Sequence, residues 1–222
     1  IISSPMGGSF GGKDELNIQP YAALLALKTG KPVKIHNTRK ESIRASIKNH
    51  PMTITMKTGA DETGKLLAHE VRILADTGAY ATLGPAVLDF TVEHATGPYI
   101  IPNVDIDSQS VFTNNGVSGE FRGFGGSQIT FALEVQMNRL AELLAMDMVE
   151  FRRGNLRKAT DLGPLGQRIV PTNSASDVLE AVNDLLLHKN KQEPASDWKR
   201  RGTGIAITMH GGGLGFGLLD SA

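Results

Sequence analysis

The chain has 222 residues, 40% of them hydrophobic, and its 23 basic residues balance 23 acidic ones. That length is enough to bury a core, and the balanced charge argues against a nucleic-acid or polybasic membrane binder, which would carry a one-signed excess. With zero cysteines the chain cannot itself form disulfides, thiolate metal sites or iron–sulfur ligation, and no apolar run approaches the roughly 20 residues that span a bilayer.

No signal-peptide pattern is visible in residues 1–10, so a cytoplasmic location is expected. The chain starts without Met and stops just after "GGGLGFGLLDSA", so it is expected to be part of a longer polypeptide. In chain order, "LNIQPYAALLALKTG" has helix-like apolar spacing and a C-terminal stop at Gly30. "KPVKIHNT" predicts a strand, and "RKESIRASIK" a short polar helix. Apolar–polar alternation on both sides of "GADETGK" predicts a hairpin. A helix entered near Pro85 is broken by Gly97-Pro98, and "NVDIDSQSVFTN" alternates as a strand does. A longer helix is expected from Gln128 to Ala145, a short one at "MVEFRRGNLRK", and a capped one at "ASDVLEAVNDLLLHK". "GTGIAITMH" predicts a last strand. Strands and helices mix without a regular β-α-β repeat, which gives an α+β class with helices packed on mixed strands.

Three familiar motifs fail. "GGSFGGK" begins like a phosphate-binding loop, but Asp14 stands where a hydroxyl must ligate magnesium. "GGGLGFG" lacks the last glycine of a dinucleotide fingerprint, because Phe216 occupies it. "HEVRI" has Ile73 where a zinc protease needs its second histidine.

What remains are three glycine-rich loops, each carrying phenylalanine: "GGSFGGKDE" (7–15), "GEFRGFGG" (119–126) and "GGGLGFG" (211–217). Glycines let a backbone approach a ligand and leave amides free to donate. The first loop is expected to open a helix whose N-terminus favours an anion or oxo group. Arg122 offers a bidentate fork, with Phe121 and Phe124 on either side as stacking platforms. Taken singly, each loop could be a tight corner with an inward ring, and Arg122 a surface ion-pair partner of Glu120. Together they point to a site for an anionic or oxo-bearing cofactor and a flat substrate.

"GGSFGGK" and "FRGFGGSQ", with the downstream "ALEVQMNRLAELLAMDMVEFRRGNLRK", resemble the molybdenum-binding subunit of the xanthine dehydrogenase/aldehyde oxidase family of molybdenum hydroxylases. The resemblance implies that residues 1–200 are the first part of that molybdopterin-binding domain and 201–222 the start of a following subdomain. It implies a molybdenum–molybdopterin cofactor contacted by Gly8, Ser9, Phe10, Gly11 and Arg122. It also implies substrate contacts at Phe124 and Phe216, with Asp14 in the place of an orienting glutamate. Phe90 stands where purine-oxidising members carry an arginine, which leaves aldehydes and other heteroaromatics open as substrates. The implied reaction is hydroxylation with water as oxygen source. Its glutamate base and a Gly-Gln-Gly cofactor loop are expected beyond Ala222, and iron–sulfur and FAD centres on partner subunits or domains of an oligomer. The competing reading is a non-catalytic scaffold with the same fold, and it predicts loss of the loop arginine or phenylalanines.

Overall fold

The computed structural model describes residues 1–168, 172–187, 196 and 198–211. Met52–Ala60 (β1) and Leu66–Gly78 (β2) form the expected hairpin. Its turn is organised by one carboxylate: Asp61 Oδ1 accepts from the Thr63 and Lys65 amides at 2.9 and 3.0 Å. These bonds, with the Thr63 hydroxyl first among them, hold the Asp61 carboxyl below its usual range. Asn103–Phe112 (β3) completes a sheet of order β1-β2-β3. Asn103 bonds the Leu67 carbonyl, Arg72 bonds Asp105, and the Thr113 amide bonds the Gly78 carbonyl. β2 and β3 therefore run in the same direction, whereas the hairpin pair is antiparallel. The sheet is mixed, as the α+β class requires.

Among the described residues six helices accompany it: Gln19–Thr29 (α1), Arg39–Ala45 (α2), Gly84–Glu93 (α3), Gly126–Leu143 (α4), Met148–Asn155 (α5) and Ser174–Leu187 (α6). α1 ends where Gly30 takes a left-handed conformation and donates to the Ala26 carbonyl. α2 opens on a reciprocal box, Thr38 accepting from the Glu41 amide while Glu41 accepts from the Thr38 amide. Asp147 caps α5 through two amides, Val149 and Glu150.

The chain divides into two compact units, residues 1–53, 73–91 and 108–127 in one and residues 54–72, 92–107 and 128–222 in the other. Within the second, Leu66, Tyr99, Leu133, Met137, Ala141, Phe151, Leu156 and Leu179 form the hydrophobic core. Leu133, Met137 and Ala141 recur every four residues, so α4 buries one stripe; Phe131 and Leu143 of the same helix are exposed. Asn155 joins α5 to the hairpin turn, donating to the Gly64 carbonyl and accepting from the Leu66 amide, each at 2.8 Å.

A charged pair sits inside this core. Glu134 accepts from Arg152 Nε and Nη2 at 2.9 and 2.8 Å, from the Tyr99 hydroxyl at 2.5 Å and from the Ile207 amide at 2.9 Å. Burial, then the Glu134 charge, pushes the Tyr99 phenol well above its ordinary value.

Two expected strands do not form. Residues 32–38 make no strand, and their backbone amides and carbonyls enter no ladder. "GTGIAITMH" makes none either, because amides in and beside it bond side chains instead: Ile207 to Glu134, and Gly211 to His94 at 2.9 Å.

Candidate functional site

The first unit brings the first two glycine loops together. The Arg122 amide donates to the Phe10 carbonyl at 3.0 Å, and the Arg122 guanidinium lies over the Phe10 ring, 5.7 Å from its centroid. The two backbones lie close at Gly11. A Cβ on Gly11, whose φ is +83°, would fall 1.6 Å from the Glu120 carbonyl oxygen and 2.8 Å from the Phe121 Cα. Only glycine fits there.

Loop 1 also braces itself. The Gly12 amide bonds the Ser9 carbonyl, the Gly11 amide bonds Ser9 Oγ at 3.1 Å, and Lys13 Nζ bonds the Gly8 carbonyl at 2.8 Å. The Ser9 hydroxyl bonds Asp14 Oδ1. Phe121 does not flank Arg122 in solvent; its ring packs on Gly12.

Two phenylalanines in these loops have left-handed backbones, Phe10 with φ 53° and Phe124 with φ 48°. For a bulky residue each such conformation costs about 1–3 kcal/mol and persists only where the surroundings enforce it. Phe124 is held from behind by Phe90 of α3, edge-on with centroids 5.7 Å apart. Gly125, at φ +90°, lies so close to α3 that a Cβ would meet Thr91 Oγ1 at 2.1 Å and the Val87 carbonyl at 2.6 Å. Phe90 is buried, Phe124 half-buried and Phe10 exposed.

Binding capacity is left over around this frame. Among the described residues the Arg122 guanidinium meets no hydrogen-bond acceptor, and the Gly8, Ser9 and Phe10 amides donate to none. A helix N-terminus stands at the second loop and not at the first. α1 begins only at Gln19, well after loop 1, whereas α4 begins at Gly126, directly at the end of loop 2.

Glu120 is the residue that sequence reasoning missed. Its ion pair with Arg122 does not form; Glu120 is 8% exposed and its Oε2 has no hydrogen-bond partner. Burial, reinforced by the neighbouring Glu15 and Asp14, raises its carboxyl above the usual range. Adjacency in sequence to Arg122 hid this, because nearby loop residues can point opposite ways. Phe216, with the rest of the third loop from Gly212 onward, lies outside the described residues.

Residues 1–156 match the family model of the molybdopterin cofactor-binding domain. The chain is 68% identical over all its length to a probable xanthine dehydrogenase subunit of Bacillus subtilis, of which it spans 30%. It is 49% identical, over 83% of its length, to the nicotinate dehydrogenase large molybdopterin subunit of Eubacterium barkeri, of which it spans 43%. Aldehyde oxidoreductase from Desulfovibrio gigas superposes with a TM-score of 0.75 at 31% identity, over 86% of this chain and 21% of that one. Among the described residues no helix is long and apolar enough to cross a membrane. Two loops stapled at Gly11, a helix pair downstream in sequence and a match over 1–156 make one consistent set: the chain belongs to the molybdopterin cofactor-binding domain family.

Proposed function

We propose that the chain forms part of the molybdenum–molybdopterin centre of an oxidoreductase that hydroxylates a purine, N-heteroaromatic or aldehyde substrate with oxygen from water. The observation that carries this reading is the set of unoccupied donors beside two strained phenylalanines: the Arg122 guanidinium and the amides of Gly8, Ser9 and Phe10. An anionic, oxo-bearing cofactor needs such donors, and these residues fit one. When bound, the cofactor supplies Lewis-acid activation of water and accepts the electrons of the oxidation.

The chain's own residues position the reactants. Gly8, Ser9, Phe10, Gly11 and Arg122 hold the cofactor side. Phe124, backed by Phe90, presents part of its ring to a planar substrate, and Phe216 is assigned the opposing contact. Asp14, exposed and bonded to Ser9, orients the substrate's polar edge. Phe90 is 2% exposed and apolar, so it stabilises no charge that develops on a substrate oxygen.

Two of the relatives are themselves named as subunits, one of a xanthine dehydrogenase and one as the large subunit of a nicotinate dehydrogenase, which supports an assembly of several chains. A chain with zero cysteines fits electron exit through iron–sulfur and FAD centres carried elsewhere in that assembly. Residues 201–222 are proposed to begin a following subdomain, and the assembly to work in the cytoplasm.

Arg122→Met in the protein that carries this chain tests the reading. Hydrogen bonds to charged groups are worth about 1.5–3 kcal/mol, so cofactor affinity is expected to fall about 10- to 100-fold. Molybdenum and pterin retained through gel filtration report it, with circular dichroism as a check on folding. Full retention of both by a folded variant contradicts the assignment of Arg122.

A further inference from the structure

A cavity of about 480 Å³ lies within the second unit, and the proposed function uses none of its lining residues. Small-molecule sites occupy about 300–1,000 Å³, so the volume is that of a ligand rather than of a packing defect. Its apolar lining is aliphatic, with Val178, Leu179 and Val182 from α6 and Ile205, Ile207 and Met209 from the segment before the third glycine loop. Among the described residues no phenylalanine, tyrosine or tryptophan lines it. The wall at 205–209 is fixed without a sheet partner. Its Ile207 amide bonds Glu134, itself paired with buried Arg152, and the Gly211 amide just beyond it bonds buried His94.

The formally charged residues of the lining are of one sign. Arg157 and Lys158 line the cavity together with Thr172 and Ser174, and no acidic residue does. Arg157 is held against the chain by two carbonyls, Nη1 donating to Gly97 and Nη2 to Tyr99, each at 3.2 Å. Its Nε is buried without a hydrogen-bond partner, and among the described residues neither Arg157 nor Lys158 makes an ion pair. Asp161 is the acidic neighbour of Arg157, and its Oδ2 accepts from the Lys158 amide at 2.7 Å. The N-terminal turn of α6 adds its partial positive charge through Ser174 and Ala175, with Asp177 of the same turn opposing it.

These features restrict the ligand. Water satisfies a lone N–H, but only an anion answers a half-buried charge as well. A guanidinium with donors to spare prefers a planar anion of two oxygens, which a carboxylate is. Aliphatic walls gain from a hydrocarbon chain and offer a flat ring nothing to stack on. We propose that this cavity binds an aliphatic monocarboxylate, its carboxylate on Arg157 and Lys158 and its chain against the walls from α6 and residues 205–209. The site is built from the second unit alone and does not depend on the cofactor assignment.

The test is calorimetric titration of the protein that carries this chain with octanoate. 1-Octanol and octylamine keep the chain without the carboxylate and are expected to bind about 10-fold more weakly or worse. Hexanoate is expected to bind about 4- to 16-fold more weakly, because each methylene buried in such a cavity contributes about two- to fourfold. Arg157→Met keeps the aliphatic stem and is expected to weaken octanoate about 10- to 100-fold while leaving 1-octanol within about threefold. Arg157 also bonds two carbonyls, so a second variant guards against a folding defect. Val178 is 60% exposed, and Val178→Glu is expected to weaken octanoate about 10-fold by placing a like charge in the lining. A parent that binds octanoate no better than 1-octanol overturns the proposal, and so does octanoate binding that both variants leave unchanged. Equal affinity for octanoate, hexanoate and acetate overturns it too, because the walls would then take no part.

Discussion

Replacing Glu134 by alanine is expected to destabilise the second unit by about 3–5 kcal/mol. The side chain of Arg152 is 0% exposed and Glu134 is its carboxylate partner. Without that carboxylate a cation stays buried with only the Glu134 and Met148 carbonyls and Asn138 Oδ1 around it. The Tyr99 hydroxyl and the Ile207 amide lose their acceptor at the same time. A domain is typically stable by only about 5–15 kcal/mol, so the loss is a large share of the total. Denaturant unfolding of the variant should show the midpoint fall accordingly. The double change Glu134→Met with Arg152→Leu should recover much of the loss, because it removes both charges together. If the single variant unfolds at the parent midpoint, the pair is not the polar anchor of this core.

Gly11→Ala is expected to cost about 2–6 kcal/mol, from overpacking and left-handed strain together. The added methyl would lie 1.6 Å from a carbonyl oxygen, and both contact partners are backbone, which cannot swing aside as a side chain would. Relief requires the loops to part, and that breaks the bond from the Arg122 amide to the Phe10 carbonyl. Hydrogen exchange should therefore show lost amide protection at Arg122. Gly7→Ala is the control, because a Cβ there meets nothing within 4 Å. Equal behaviour of the two variants would mean that the loops are not stapled at Gly11.

How far the sequence foretold this structure depends on which interactions were local. The β1–β2 hairpin, the stop at Gly30 and the helix at 148–155 are encoded within a few residues, and each was legible. "KPVKIHNT" and "GTGIAITMH" alternate as strands do, yet a strand also needs a neighbour. Around the second segment, the Ile207 and Gly211 amides go to Glu134 and His94, which lie 73 and 117 residues away in sequence. No window of sequence contains that information. At the site, glycine spacing and the two phenylalanines were visible, as was Arg122. The strained φ of Phe10 and Phe124 was not, and neither was the burial of Glu120, because these depend on how the loops pack against their neighbours. Phe90 shows the same limit. Its place in the sequence marks a missing arginine, whereas its edge-on support of Phe124 needs three dimensions.

If the stapled loops form half of a molybdopterin site, the protein that carries this chain must hold the cofactor when purified from its native source. Molybdenum and pterin content tests this most directly. Both are expected, in near-equal amounts, co-eluting with the protein. An intact, folded protein with neither would contradict the cofactor-binding role, and the glycine–phenylalanine loops would then be structural corners.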